Sequence, residues 1–144
     1  MTFLDAYALV ALIADEPASE EVQALLREGN ARVVVVNLSE AIDVATRVHH
    51  ASNTLLRDAL EPLLLSRVLQ AAVSGEQDAW LAAELRARHF DRQTQALSLA
   101  DCFLLAHALA EDASIATADP SVTHVARKEG VGLVALPDSS GRRP

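Results

Sequence analysis

An α/β fold with a mostly parallel central sheet is what this sequence predicts, and three observations predict it. Short apolar or β-branched runs alternate with longer amphipathic stretches from one end of the 144 residues to the other. The run 32–36 shows no polar alternation, as expected for a strand covered on both faces. Apolar residues make up 51% of the chain and aromatics only 3%, which suits an interior built from Ala, Leu and Val.

The elements follow in order. Residues 2–5 read as a short buried strand and 7–14 as a helix, with Asp15-Glu16-Pro17 as a break. Residues 19–27 form an amphipathic helix with Val22, Leu25 and Leu26 on its apolar side, and Gly29-Asn30 supplies the stop. After the 32–36 strand, a helix is predicted from Leu38 to about His50. Another starts at Asn53 and reaches about Leu64. Residues 66–73 are weakly strand-like, Gly75 opens a helix to about His89, and 90–97 is a polar loop. A strongly apolar helix covers 98–110 and a short strand 114–118. Pro120 begins the last helix, Gly130 ends it, and 131–136 is the final strand. No repeat or internal boundary interrupts this pattern. Residues 1–137 therefore read as one domain, and 138–144, ending SSGRRP, as a flexible tail. Parallel strands joined through helices imply right-handed crossovers.

Composition narrows the function. The single Cys102 excludes an internal disulfide and fits a reducing compartment. No basic residues precede the first apolar stretch, and Asp5 interrupts it, so it reads as strand plus helix and not as a secretion signal. No apolar run approaches the roughly 18–20 residues of a membrane span. A soluble cytoplasmic protein is the expectation. The net charge of −8 weighs against tight non-specific binding of nucleic acid. Selective or transient binding is compatible with it: eleven of the twelve basic residues are Arg, which suits bidentate phosphate contacts, and a bound cation would neutralise part of the acid locally.

Four carboxylates stand where a strand hands over to a helix or where a helix begins: Asp5 in FLDAYALVALI, Glu40 in VVVVNLSEAIDVATR, Asp101 in LSLADCFLLAHAL and Asp119 in SIATADPSV. Ligands of open α/β sheets bind beyond the carboxyl ends of the strands. Acids gathered there repel one another unless a cation lies among them, and hard divalent ions take oxygen ligands of this kind. Each acid also has a plainer reading. Asn37-Leu-Ser-Glu40 and Ser98-Leu-Ala-Asp101 match capping-box spacing, and Asp119-Pro120 reads as an N-cap with proline at the first helical position. Asp5, set between apolar neighbours, could cap the first helix. Helix N-termini favour ionised carboxylates, so capping and ion binding are compatible.

The order of these motifs, closed by GVGLVAL, resembles that of PIN-domain ribonucleases, and most of all the short VapC-type toxins of bacterial toxin–antitoxin pairs. The resemblance covers about residues 2–136. It implies a PIN-like three-layer α/β/α sandwich, Mg²⁺- or Mn²⁺-dependent endoribonuclease activity, a protein antitoxin, and a homodimer. Carried over, the catalytic and metal-binding set is Asp5, Glu40, Asp101 and Asp119. Thr117, in Thr117-Ala118-Asp119, is a supporting hydroxyl. Tyr7 stands where the family often has a small hydroxyl residue. The mechanism implied is in-line attack of water on an RNA phosphodiester, with metal activating the water and stabilising developing charge.

Other candidates read more simply. Asp43 suits an ion pair with Arg47, His49-His50 a helix end, and Cys102 a small core position. Arg86, Arg88 and Arg92 read as a solvated face that could also meet phosphates. Leu38, Ile42, Leu55, Leu56, Leu60, Leu63 and Leu64 read mainly as core, and by resemblance as part of an antitoxin groove. Two further functions fit the acids: a catalytically inert PIN-like module that binds RNA or protein, and a metal-dependent phosphohydrolase of small phosphoesters. No Walker-type or GxGxxG phosphate loop is present.

Overall fold

A computed structural model describes residues 1–144 as seven helices and five strands. In chain order these are β1 (Thr2–Leu4), α1 (Ala6–Ala14), α2 (Ser19–Arg27), β2 (Ala31–Val34), α3 (Val35–Arg47), α4 (Asn53–Leu65) and β3 (Leu69–Ala72). The remainder are α5 (Glu76–His89), α6 (Leu99–Ala110), β4 (Ser114–Thr117), α7 (Pro120–Glu129) and β5 (Gly132–Ala135). The strands form one fully parallel sheet in the order β3-β2-β1-β4-β5. The chain builds outward from β1 on one side, then returns to place β4 against β1's other edge. The order therefore reverses between β1 and β4, which is where a crevice opens in such sheets.

Helices cover both faces, giving three α/β/α layers. Because side chains alternate along a strand, adjacent residues feed opposite cores. Phe3, Val34 and Ile115 pack with α5, α6 and α7, while Leu4, Val33 and Ala116 pack with α1, α2 and parts of α3 and α4. Strands buried on both faces have no need of polar alternation, which accounts for the adjacent buried Val33 and Val34. Leu104, in the middle of α6, is wholly buried in the first core. Leu104→Ala is expected to remove about 2–5 kcal/mol of stability, read from urea unfolding with an unchanged denaturant slope. A loss below about 1 kcal/mol would mean that the core collapses around the gap.

The second strand ends earlier than its valine run suggests. β2 pairs with β3 only as far as Val34↔Ala72, and α3 begins at Val35. Val35 and Val36 are largely exposed in its first turn. The helix has no side-chain cap, and Glu40 is its sixth residue, so the capping box expected from Asn37 and Glu40 does not form.

α5 and α6 form an antiparallel hairpin. Near its open end, Ser74 Oγ lies 3.0 Å from His107 Nε2, beside the N-terminus of α5. At the opposite end, the Arg86 guanidinium reaches the field of Asp101 at the start of α6. His107 is buried against Phe3, its Nδ1 lies 3.7 Å from the partly exposed Glu111, and Glu111 pairs with Arg32. Gly130 closes α7 in the left-handed conformation (φ 75°), as its place after the last helical turn requires. The segment after Pro137 makes long-range contacts: Tyr7 Oη donates to Pro137 O at 3.0 Å, and Arg143 pairs with Glu21 at 2.7 Å. No helix is long and apolar enough to cross a membrane.

Candidate active site

Three of the four acids do cap helices, and each uses one oxygen to do so. Asp5 follows β1 and accepts from Ala8 N through Oδ1 at 2.7 Å. Asp101 sits in the first turn of α6, where Oδ2 accepts from Ser98 N at 2.8 Å while Ser98 Oγ accepts from Asp101 N at 3.0 Å, a complete capping box. Asp119 follows β4 and accepts from Ser121 N at 2.6 Å and Val122 N at 3.2 Å through Oδ1, with Pro120 at the first helical position. The second oxygen of each is left without a backbone hydrogen bond. Backbone amides hold the carboxylates in place, and half of each remains for something else.

Asp5 and Asp119 follow the two strands that flank the point of reversal. With Glu40 and Asp101 they line one pocket of about 490 Å³. Glu40 comes from the second turn of α3, on a stripe with Val44 and Val48 that faces the same space. Thr117, the last residue of β4, is fully buried. Its hydroxyl accepts from Asp119 N at 2.9 Å and also lies beside the Asp5 carboxyl. The four acids thus line one pocket, and Thr117 lies behind it beside Asp5 and Asp119.

Its electrostatics are those of an acid cluster out of water. Burial pushes Asp5 (4% exposed) up to about 7, against the pull of Thr117 and the Ala8 amide, with the charges of Asp101 and Asp119 adding to the rise. Glu40 is raised by burial and then by Asp101, Asp119 and Asp43. Asp101 is raised by burial, opposed by Ser98, and raised further by Asp119, with Arg86 opposing. No group of three or more His, Cys, Asp or Glu side chains is already drawn together as an ion's ligand set. Like charges without a counter-ion stay apart, each at its cap.

Mg²⁺ or Mn²⁺ fits this donor set. The donors are all hard oxygens, they come from four separate elements, and desolvation without a neutralising partner is what an ion would relieve. The second oxygens of Asp5, Asp101 and Asp119, which accept no backbone hydrogen bond, would supply ligating atoms.

The pocket also takes in Tyr7, noted in the sequence two residues after Asp5, and Glu16, His49 and Ser139, to which sequence reasoning gave no part in the site. Burial and Glu16 both raise the Tyr7 hydroxyl, and His49 Nε2 stands 3.7 Å from Glu16 Oε1. Only the i, i+4, i+8 spacing of Glu40, Val44 and Val48, running into His49, hinted at this lining. Next to the pocket, a cleft of about 620 Å³ is bounded by Tyr7, Asp119 and the tail residues Arg142 and Arg143. Arg86 stacks on Phe90 at 4.5 Å, and Arg88 pairs with Glu129 at 3.1 Å. Asp43 pairs with Arg47 at 2.8 Å in solvent, and Cys102 is buried, its thiol pushed up to about 11 by burial.

The PIN-domain family model matches residues 2–128, and the chain belongs to that family. Solved structures share the fold at low identity. VapBC2 from Rickettsia felis, solved bound to a DNA fragment from its promoter, aligns at TM-score 0.64 and 16% identity over 92% of this chain and 96% of that one. FitAcB from Neisseria gonorrhoeae aligns at 0.62 and 18% identity, covering 92% and 96%. A toxin–antitoxin complex from Klebsiella pneumoniae aligns at 0.59 and 17% identity, covering 83% and 87%. No curated protein matches the sequence.

Proposed function

We propose that this PIN-domain protein is a metal-dependent endoribonuclease and the toxin of a toxin–antitoxin pair. One observation carries the nuclease reading. Four carboxylates from different elements converge on one pocket at the sheet's point of reversal, three of them each keeping an oxygen free. The toxin reading is supported by the structural likeness to VapBC2 and to the toxin–antitoxin complex from Klebsiella pneumoniae.

Asp5, Asp101, Glu40 and Asp119 would hold Mg²⁺ or Mn²⁺. The chemistry supplied there is a lowered pKa for attacking water and neutralisation of charge developing on the phosphate and leaving oxygen. The protein's part is placement. Backbone amides fix Asp5, Asp101 and Asp119, and Thr117 bridges the strand ends carrying Asp5 and Asp119. Glu40, from the second turn of α3, would serve as a further ligand or as the base that orients water. Arg86, near Asp101 and flattened on Phe90, is the cation placed to meet a backbone phosphate.

For partners, α3 and α4 leave an apolar groove lined by Leu38, Ile42, Leu56, Leu60 and Leu64, with Arg57 and Glu61 on its rim. It suits the apolar face of an antitoxin helix. Val35 and Val73 follow the paired residues Val34 and Ala72 at one corner of the sheet and stay exposed, as Trp80 does on α5. That surface suits a second copy of the chain in a homodimer. The cytoplasm is the compartment where such an RNA substrate is met.

The test is cleavage of a mixed tRNA and rRNA pool by the purified protein and by Asp101→Asn, with Mg²⁺, Mn²⁺ or EDTA. Discrete cleavage that needs metal and falls at least about 100-fold in the variant is expected. A folded, metal-binding wild type that cuts nothing would favour the inert module. Hydrolysis of a chromogenic phosphoester without RNA cleavage would favour the phosphohydrolase.

A further inference from the structure

Asn37 is fully buried (0% exposed), and neither its amide nitrogen nor its amide oxygen has a hydrogen-bond partner. An amide in that state is costly, and buried polar groups in folded proteins nearly always find partners. The helix makes no use of it. α3 starts at Val35 with Val34 as its uncapped boundary, and the expected contact from Asn37 to the Glu40 region as a cap is absent. Its buried companions on α3, Ala41 and Ala45, are apolar, so the surroundings give no local reason for an amide.

Its place on the helix gives another reason. Asn37, Glu40, Val44 and Val48 fall on one stripe at i, i+3, i+7 and i+11. The last three line the acid pocket. Asn37 therefore lies one turn before Glu40 on the stripe that carries the pocket's lining, fully buried and not itself among the lining residues.

We propose that Asn37 is a positioning residue of the ion-loaded site: its amide nitrogen donates to one of the carboxylates that would gather around a divalent ion, and its amide oxygen accepts from a water held there. The inference rests on the metal-dependent reading above and adds a residue beyond the four acids, one that the sequence suggested only as a helix cap. Partners in this outer layer fix ligand orientation, and their loss typically weakens metal affinity about 10–100-fold.

The experiment compares wild type with Asn37→Leu, Asn37→Ala and Asn37→Ser. Two readouts are used: Mn²⁺ affinity by calorimetry, and the melting temperature of the metal-free protein. The expected result is a metal-free melting temperature equal to or above wild type in Asn37→Leu, with Mn²⁺ bound about 10–100-fold more weakly. Asn37→Ser should recover part of the affinity through its hydroxyl. If Asn37→Leu does not fold, the Ala and Ser variants carry the comparison. Wild-type Mn²⁺ affinity in the folded variants overturns the proposal and leaves the metal site standing. A wild type that binds no Mn²⁺ removes the metal reading and the proposal together.

Discussion

Asp5→Asn is expected to abolish RNA cleavage and, at pH 8, to raise the melting temperature of the metal-free protein. The two effects have separate origins. Asparagine keeps an oxygen in the place of Asp5 Oδ1, so the hydrogen bond from Ala8 N and the start of α1 survive. The charge is lost, and with it the cost of holding an ionised carboxylate 4% exposed beside Asp101 and Asp119. A carboxyl moved from 3.8 to about 7 sets a ceiling on the order of 4 kcal/mol for that cost above pH 7. The amide's own burial offsets part of it, leaving a gain of about 1–3 kcal/mol. For a chain of this size that is roughly 2–4 °C per kcal/mol. Cleavage should fall by about three orders of magnitude, since a neutral amide is a poor ligand for a hard divalent ion. Calorimetry and the RNA assay on one preparation decide it. Stability lost along with activity would make Asp5 a structural acid, and undiminished cleavage would remove it from the site.

The second large effect is on pH dependence. Asp5, Glu40 and Asp101 all have folded-state values above those of the unfolded chain. Between about pH 4 and pH 7 the folded protein therefore binds more protons, and its stability falls as pH rises through that window. The acids shifted the other way, Asp43, Asp91 and Asp138, lose their contribution only as pH drops below about 4, so they do not mask the trend. The metal-free protein should melt higher at pH 5 than at pH 8. Saturating Mn²⁺ should flatten or reverse the slope, because the ion selects ionised carboxylates and releases their protons on binding. Calorimetric binding in two buffers of different ionisation enthalpy would show that release. A metal-free melting temperature level from pH 5 to 8 would mean that water reaches the acids and the cluster is not desolvated.

Much of this was legible in the residues, and what was not has physical causes. Period and punctuation located every strand and helix, because strands covered on both faces and helices ending at Gly29 and Gly130 carry local signals. The end of β2 was misplaced because Val35 and Val36 have strand propensity, whereas the strand ends where its partner does, at Ala72. That error carried into the capping box assigned to Asn37 and Glu40. Asp5, Asp101 and Asp119 stood out because each caps or opens a helix, whereas Glu40 lies in the second turn of α3, away from the boundary the sequence suggested. The approach of Glu16, His49 and Ser139 to the same pocket was not legible, since they meet only through the fold. The anchoring of the tail through Arg143 and Glu21 joins residues 122 apart, beyond any local pattern.

The four carboxylates differ in stiffness. Asp5, Asp101 and Asp119 have short side chains tethered by backbone amides, whereas Glu40 is longer, half-exposed and untethered. In an ion-loaded site of this build, three arms would set the cradle and the fourth would adjust its reach. The difference in radius between Mg²⁺ and Mn²⁺ then falls on Glu40 alone, and so does any selectivity between them. Shortening that one arm to aspartate would turn a tolerant site into one that tells the two ions apart by size.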